Sequence, residues 1–185
     1  RFIGWPHPIL TDSGGYQVFS LAGRRKIDEQ GAEFRSHLDG SVHRLSPEGA
    51  VDIQARLGSD IAMVLDECLA YPASRDETAQ SMERSVRWAA RCRAQFAAIR
   101  DGARTDVGAT NPGQALFGIV QGGAFQDLRD QSADAAMAIG FEGYAIGGLS
   151  VGEPIDLMYA VVSDTARVLP ADQPRYLMGA GTPED

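Results

Sequence analysis

The sequence predicts an α/β fold, a (β/α)8 TIM-type barrel of which this chain holds a part. Short apolar runs alternate with helix-length segments along almost the whole chain, and the runs end on turns carrying Asp, Gln or Gly. Continuous apolar runs separated by helices imply parallel strands in a sheet covered on both faces. Two closures fit that pattern, an open doubly wound sheet and a barrel. No GxGxxG follows the first run and no Walker loop occurs, which weakens the nucleotide-binding open sheet and favours the barrel.

The elements follow in order. Residues 8–11 form a short apolar run ending in Asp12-Ser13-Gly14-Gly15, a turn signal. Residues 32–45 carry Asp39-Gly40 between two alternating runs, a hairpin signature. Ser46-Pro47-Glu48 reads as an N-cap with proline at the first helical position, and Gly58 stops that helix after about Leu57. Residues 60–65 are a buried strand ending at Asp66-Glu67, and Ser74 caps a long helix to about Arg100. Residues 101–114 are a Gly/Pro/Thr/Asn-rich loop. A strand over 115–120 ends at Gln121-Gly122-Gly123, followed by a helix over about 125–139. A strand over 143–146 ends at Gly147-Gly148, Pro154 opens a helix to about Val168, and a last strand over 175–178 ends in Gly179-Ala180-Gly181.

Composition narrows the class. The chain has 185 residues, 44% hydrophobic and 23% charged, enough for one sizeable core. It reads as a single partial domain, 1–185, truncated at both ends. No stretch approaches the ~18 apolar residues of a membrane helix, the first residues show no signal-peptide pattern, and with only two distant cysteines a reducing cytoplasmic setting is expected. The two cysteines, Cys68 and Cys92, form no CxxC pair, and with three histidines no zinc spacing is visible. The net charge of −8 argues against a nucleic-acid binder taken alone. Two basic clusters qualify it, Arg24-Arg25-Lys26 and the helical series Arg84, Arg87, Arg91. A solvated surface is the simpler reading of both, with Glu83 placed to pair with Arg87.

In a barrel, parallel strand ends converge on the face where active sites sit. The ends here are Asp12, Asp66, Gln121, Gly147-Gly148 and Met178-Gly179. Carboxylates accept, an amide donates and accepts, and glycine backbones expose N–H groups, so together they suit the edge of a flat heterocycle. Each has a bland alternative. Asp12 fits an Asx turn, Asp66 a turn cap, Gln121 a loop tie, the glycines a tight reversal, and Tyr16 a core aromatic. Five successive polar or glycine strand ends are harder to explain that way.

The segments TDSGGYQVFSL (11–21), FRSHLDGSVHRLSPE (34–48), LDECLAYP (65–72), MERSVRWAARC (82–92), LFGIVQGG (116–123), FEGYAIGGLSVGE (141–153) and RYLMGAGTPED (175–185) resemble the bacterial tRNA-guanine transglycosylases over nearly the whole chain. The resemblance implies exchange of the wobble guanine of tRNAs with a G-U-N anticodon for preQ1 in queuosine biosynthesis. The base is flipped into a pocket, and a nucleophilic Asp forms a covalent tRNA–enzyme intermediate. Asp12 matches the general acid/base, in a substrate-binding turn with Ser13, Gly14 and Gly15. Tyr16 matches the aromatic stacked on the base. Asp66 matches the carboxylate on its N–H groups, with Cys68 nearby, and Gln121 and the Gly148 N–H match the donors to its carbonyl oxygen. The Leu149 carbonyl matches the acceptor for the preQ1 aminomethyl group, supported by Glu153, and Met178 matches an apolar wall. Gly179, Ala180, Gly181, Thr182, Pro183, Glu184 and Asp185 match a segment that contacts RNA.

Cys68, and Val151 where queuine-using members carry glycine, point to the preQ1-using type. The resemblance also places the nucleophilic Asp and a structural zinc site beyond residue 185, so no metal or cofactor site is expected in this chain, and it implies a homodimer at full length. Two other readings compete. One is a non-catalytic accessory subunit of such an enzyme, which the presence of Asp12, Tyr16, Asp66 and Gln121 disfavours. The other is a two-carboxylate glycosidase on the same barrel.

Overall fold

The computed structural model describes residues 4–20, 25–36 and 38–179. In chain order, strand β1 (Leu10–Thr11) leads into a short helix α1 (Gly15–Ser20). An antiparallel three-stranded sheet follows: β2 (Arg25–Asp28), β3 (Gly31–Arg35) and β4 (Val42–Leu45). Then come α2 (Pro47–Leu57), β5 (Ile61–Met63), α3 (Arg75–Arg100), β6 (Ala115–Val120), α4 (Gln126–Ile139), β7 (Gly143–Ile146), α5 (Ile155–Val168) and β8 (Arg175–Leu177).

The parallel sheet runs β1-β5-β6-β7-β8, the order of the chain without a reversal. A doubly wound sheet reverses its order at a switch point, so these strands are not one. The helices settle the same question. α2 packs on α3, α3 on α4 and α4 on α5. They form one layer along the sheet, whereas the sequence pattern suggested cover on both faces. The curled sheet and its outer helices make a half-barrel.

Local chemistry explains the boundaries. Asp39-Gly40 turns the expected hairpin: Ser36 N–H donates to Ser41 O at 2.8 Å, and β3 pairs with β4 from Ala32↔Leu45 to Arg35↔Val42. Ser46 Oγ accepts from Gly49 N–H, and Gly58 closes α2 at φ 70°. Ser74 and Glu77 form a capping box at the start of α3. The buried face of α3 recurs every three or four residues, through Met82, Ser85, Trp88, Ala89, Cys92 and Phe96. It meets Met63, Leu65, Leu116 and Val120 of the sheet in the core.

Some details differ from the sequence reading. The strand expected over 60–65 pairs only over Ile61–Met63. Val64 then bonds Phe117 O, while the Leu65 N–H donates to Cys92 Sγ at 3.4 Å. β2 and α1 are additional elements. The arginines of α3 are tied down: Arg84 to Glu67, Arg87 to Glu29 at 2.8 Å, and Arg91 to Glu48 at 2.7 Å. Arg87 therefore pairs across space and not with Glu83. Arg24 of the other basic cluster lies outside the described residues.

Parallel pairing leaves one problem at the sheet edge. β1 ends at Thr11, which sits opposite Ala62, so the next outward-facing backbone groups, those of Met63, have no strand partner. Gln54 of α2 takes the strand's place. Its Oε1 accepts from Met63 N–H at 2.9 Å, and its Nε2 donates to Met63 O at 2.9 Å. Oε1 also accepts from Thr11 Oγ1 at 3.0 Å. Gln54→Met keeps the volume and removes both backbone partners. With each buried group left unpaired costing about 1–3 kcal/mol, the loss expected is about 2–6 kcal/mol. Urea unfolding of the two proteins measures it, and an unchanged midpoint would show that the amide is not needed there.

Candidate active site

All five parallel strands point the same way, so the residues that follow them gather at one end. Asp12, Asp66, Gly147, Gly148 and Met178 line a single cleft of about 250 Å³. Ser13, Tyr16, Cys68, Leu149, Ser150, Tyr176 and Gly179 complete it. Of the residues expected at the site, Gln121, Gly14 and Gly15 do not line this cleft. Gln121 lines a neighbouring cavity of about 270 Å³, which shares Gly148 and Leu149 with the cleft and is also bordered by Val151 and Glu153. Gly14 lies against Leu45, and Gly15 lies against Asp66. Residues 180–185 of the expected RNA-contacting segment lie outside the described residues.

Asp66 is the electrostatic centre. It is 7% exposed, and Gln121 Nε2 donates to its Oδ2 at 2.6 Å. Burial pushes the Asp66 carboxyl up from 3.8 to about 6. The bond from Gln121 and a further one from Ser13 oppose the rise, and the negative field of Asp12 adds to it. Asp12 itself is exposed at the end of β1, and Tyr16 is 54% exposed on the rim.

Close approach decides which residues stand beside this pair. A Cβ on Gly15 would lie 2.7 Å from both Asp66 O and Oδ1. A Cβ on Gly148 would lie 2.2 Å from Gln121 Oε1, at a φ of 67°. Glycine is therefore required at both positions.

The turn after β7 is held by charges. The Glu153 carboxylate accepts from Ser150 N–H at 2.5 Å and from Val151 N–H at 2.9 Å. Arg129 of α4 is fully buried; its Nε donates to Gly123 O at 2.6 Å and its Nη2 to Gly147 O at 3.1 Å. Helix hydroxyls hold the strand ends in the same way. Gln121 N–H donates to Ser132 Oγ at 3.1 Å and Glu67 N–H to Ser85 Oγ at 2.9 Å. The sequence reading did not pick out Arg129, Ser132 or Ser85. Their signal is a polar residue on an otherwise apolar helix face: Arg129 shares its face with Ser132, Ala133 and Ala136.

Among the described residues no group of three or more His, Cys, Asp or Glu could hold an ion. Cys92 is buried, and desolvation pushes its thiol up to about 12, far from the thiolate that zinc requires. Among the described residues no helix is long and apolar enough to cross a membrane.

Fold and cleft together define a parallel α/β half-barrel with a polar, glycine-lined site at the carboxyl ends of its strands, the place where barrel proteins keep their chemistry. Comparison with known proteins is specific. The family model described as queuine tRNA-ribosyltransferase matches residues 1–185. The chain belongs to this family. It is 54% identical over its full length to the queuine tRNA-ribosyltransferase of Agrobacterium fabrum, covering 46% of that protein. It is 57% identical to the one from Solidesulfovibrio magneticus, covering 47%, and 55% identical to the one from Azoarcus sp., also covering 47%. The chain thus spans about half the length of the curated relatives it matches.

Asp66 generates a prediction in stability and binding. Its carboxyl is raised in the fold, so the protonated form is the one the fold favours. Native stability is highest below the unfolded value of 3.8 and falls as the pH rises through about 6. Asp66→Asn removes that penalty. The variant should match wild type near pH 4 and exceed it by up to about 3 kcal/mol at pH 8, the free-energy equivalent of the shift. Binding that needs the carboxylate moves oppositely and weakens as the pH drops through about 6. Denaturation of both proteins at the two pH values checks this; an Asn variant less stable at pH 8 would refute the electrostatic account.

Proposed function

We propose that this chain carries the base-recognition site of a tRNA-guanine transglycosylase, which exchanges the wobble guanine of G-U-N tRNAs for preQ1 by a covalent double displacement. The observation that carries the reading is the cleft's edge pattern. A carboxylate acceptor (Asp66), the adjacent backbone of Gly148 and Leu149, the carboxylate of Asp12 and the ring of Tyr16 all line one cleft. A purine-like lactam-amidine edge has the complementary donors and acceptor.

On this reading Asp66 accepts from the N–H groups of the base, and Gly148 N–H donates to its carbonyl oxygen. Gln121 exchanges its bond to Asp66 for one to the ligand, or keeps it and orients the carboxylate. Tyr16 stacks on the ring. Asp12 moves the proton of the departing and incoming base. The Ser150 N–H is held by Glu153, so in a trans peptide the Leu149 carbonyl points the opposite way, free to accept from an aminomethyl group. The nucleophilic Asp and the zinc site belong to residues beyond Asp185, and the enzyme acts as a homodimer in the cytoplasm.

Val151 sets the size limit, because its side chain borders the cavity next to the cleft. In the protein at its full natural length, wild type should exchange labelled guanine and preQ1 into a G-U-N tRNA. Asp66→Asn should lose both by at least about tenfold, since a donor then faces the donors of the base. Val151→Gly should keep both and gain queuine incorporation. No exchange by wild type would remove the function in favour of an accessory subunit. Normal guanine exchange by Asp66→Asn would remove Asp66 from base recognition.

A further inference from the structure

Among the described residues, Arg129 is the one fully buried arginine, with no exposed surface. Arginine is almost never found there unless paired. Its guanidinium meets no carboxylate within bonding distance among the described residues. It donates instead to two backbone carbonyls, Gly123 O and Gly147 O, and Nη1 has no partner among the described residues. A cation held this way is costly, and an apolar side chain of similar volume would fill the space without the desolvation penalty. Burial lowers the Arg129 group only to about 10, so it remains charged at neutral pH.

The position of the second carbonyl explains the charge. Gly147 O and Gly148 N–H belong to one peptide. In a trans peptide these two groups point in opposite directions. A guanidinium on the carbonyl side therefore turns the N–H away from α4, and Gly148 is a residue of the cleft wall. Among the described residues the Gly148 N–H makes no hydrogen bond. The peptide of Leu149 and Ser150 is held in the mirror sense: Glu153 takes its N–H and leaves its carbonyl to the other side. Two neighbouring peptides are thus fixed from behind by opposite charges, one presenting a donor and the other an acceptor. Glu153 also contributes the larger of the fields that stabilise the charge of Arg129.

We propose that Arg129 is a positioning residue for base recognition: by holding the Gly147 carbonyl it aims and polarises the Gly148 N–H that meets the carbonyl oxygen of the base. This rests on the base-recognition reading above. A cation at the oxygen of an amide draws electron density along it and makes its N–H a stronger donor, as in any polarised hydrogen-bond chain. Arg129 touches no ligand; its effect passes through one peptide.

The test separates that effect from plain structural support. In the protein at its full natural length, the affinities of guanine and 6-thioguanine are measured for wild type and R129M. The two bases share their ring N–H groups and differ in the acceptor, since sulfur accepts far more weakly than oxygen. Loss of a strong, polarised donor should weaken guanine by about tenfold, and 6-thioguanine much less, so the preference for oxygen shrinks. Equal weakening of both bases, or none, overturns the proposal. If R129M does not fold, R129Q serves: it can still reach a carbonyl but carries no charge, and an unchanged preference in it overturns the proposal equally. Wild type that binds neither base defeats the base-cleft reading itself, whatever Arg129 does.

Discussion

A carboxylate sits buried at the end of β5 with neutral donors as its hydrogen-bond partners, and the site is arranged around that fact. On the base-recognition reading, Asp66 has to be kept from water to read the edge of a ligand, yet it has to remain ionisable near neutral pH. An arginine beside it would hold the charge but would also occupy the acceptor oxygens. Gln121 gives one short bond and leaves the rest of the carboxylate open. Room for this pair then dictates its neighbours. The turn after β1 must come within contact of Asp66, and the turn after β7 within contact of Gln121, and both approaches exclude a Cβ. Glycine at Gly15 and Gly148 is thus a consequence of the buried amide–carboxylate pair.

A second constraint is where the backbone at the strand ends finds its partners. Polar groups of a parallel sheet run out of neighbours where strands stop, and buried ones must be satisfied. The helices supply the partners from the outside. α2 sends Gln54 to Met63, α3 sends Ser85 and Cys92 to Glu67 and Leu65, and α4 sends Ser132 and Arg129 to Gln121 and Gly147. Because these bonds come from behind, groups on the cleft side are left to face a ligand. Packing and recognition are therefore one problem: a helix side chain that fixes a peptide also decides which of its two polar groups enters the cleft.

What could be read from the sequence follows the range of the interactions. Caps and turns are local, so Ser46, Gly58, Ser74 and Asp39-Gly40 marked their elements correctly. Apolar runs marked the parallel strands, but not their ends: Leu65 continues the apolar run of β5 while its N–H leaves the ladder for Cys92 Sγ. β2 was missed because Arg-Lys-Ile-Asp has no apolar alternation; what holds it is pairing with β3, a contact made only after folding. The strand-end residues of the cleft were legible because the barrel brings carboxyl ends together whatever the details. Gln121 was legible as a strand-end residue, but its bond to Asp66 was not, since 55 residues separate the two. Arg129 was visible only as an anomaly, a cation on the apolar face of α4.

Charge distribution assigns the part this stretch plays. Among the described residues nine arginines, at positions 44, 75, 84, 87, 91, 93, 100, 104 and 167, are in ion pairs with carboxylates. An arginine already neutralised contributes little to the counterion release that drives attraction to a phosphate backbone. The arginine row on α3 ties Glu29, Glu48 and Glu67 to the helix. With a net charge of −8, the surface as a whole opposes a polyanion. On the base-exchange reading, these residues therefore supply discrimination and not grip. Phosphate contacts position a nucleic acid, while contacts to a base edge specify it. On that reading the cleft serves the second task, with peptides fixed by Arg129 and Glu153 and the carboxylate of Asp66 among its lining residues.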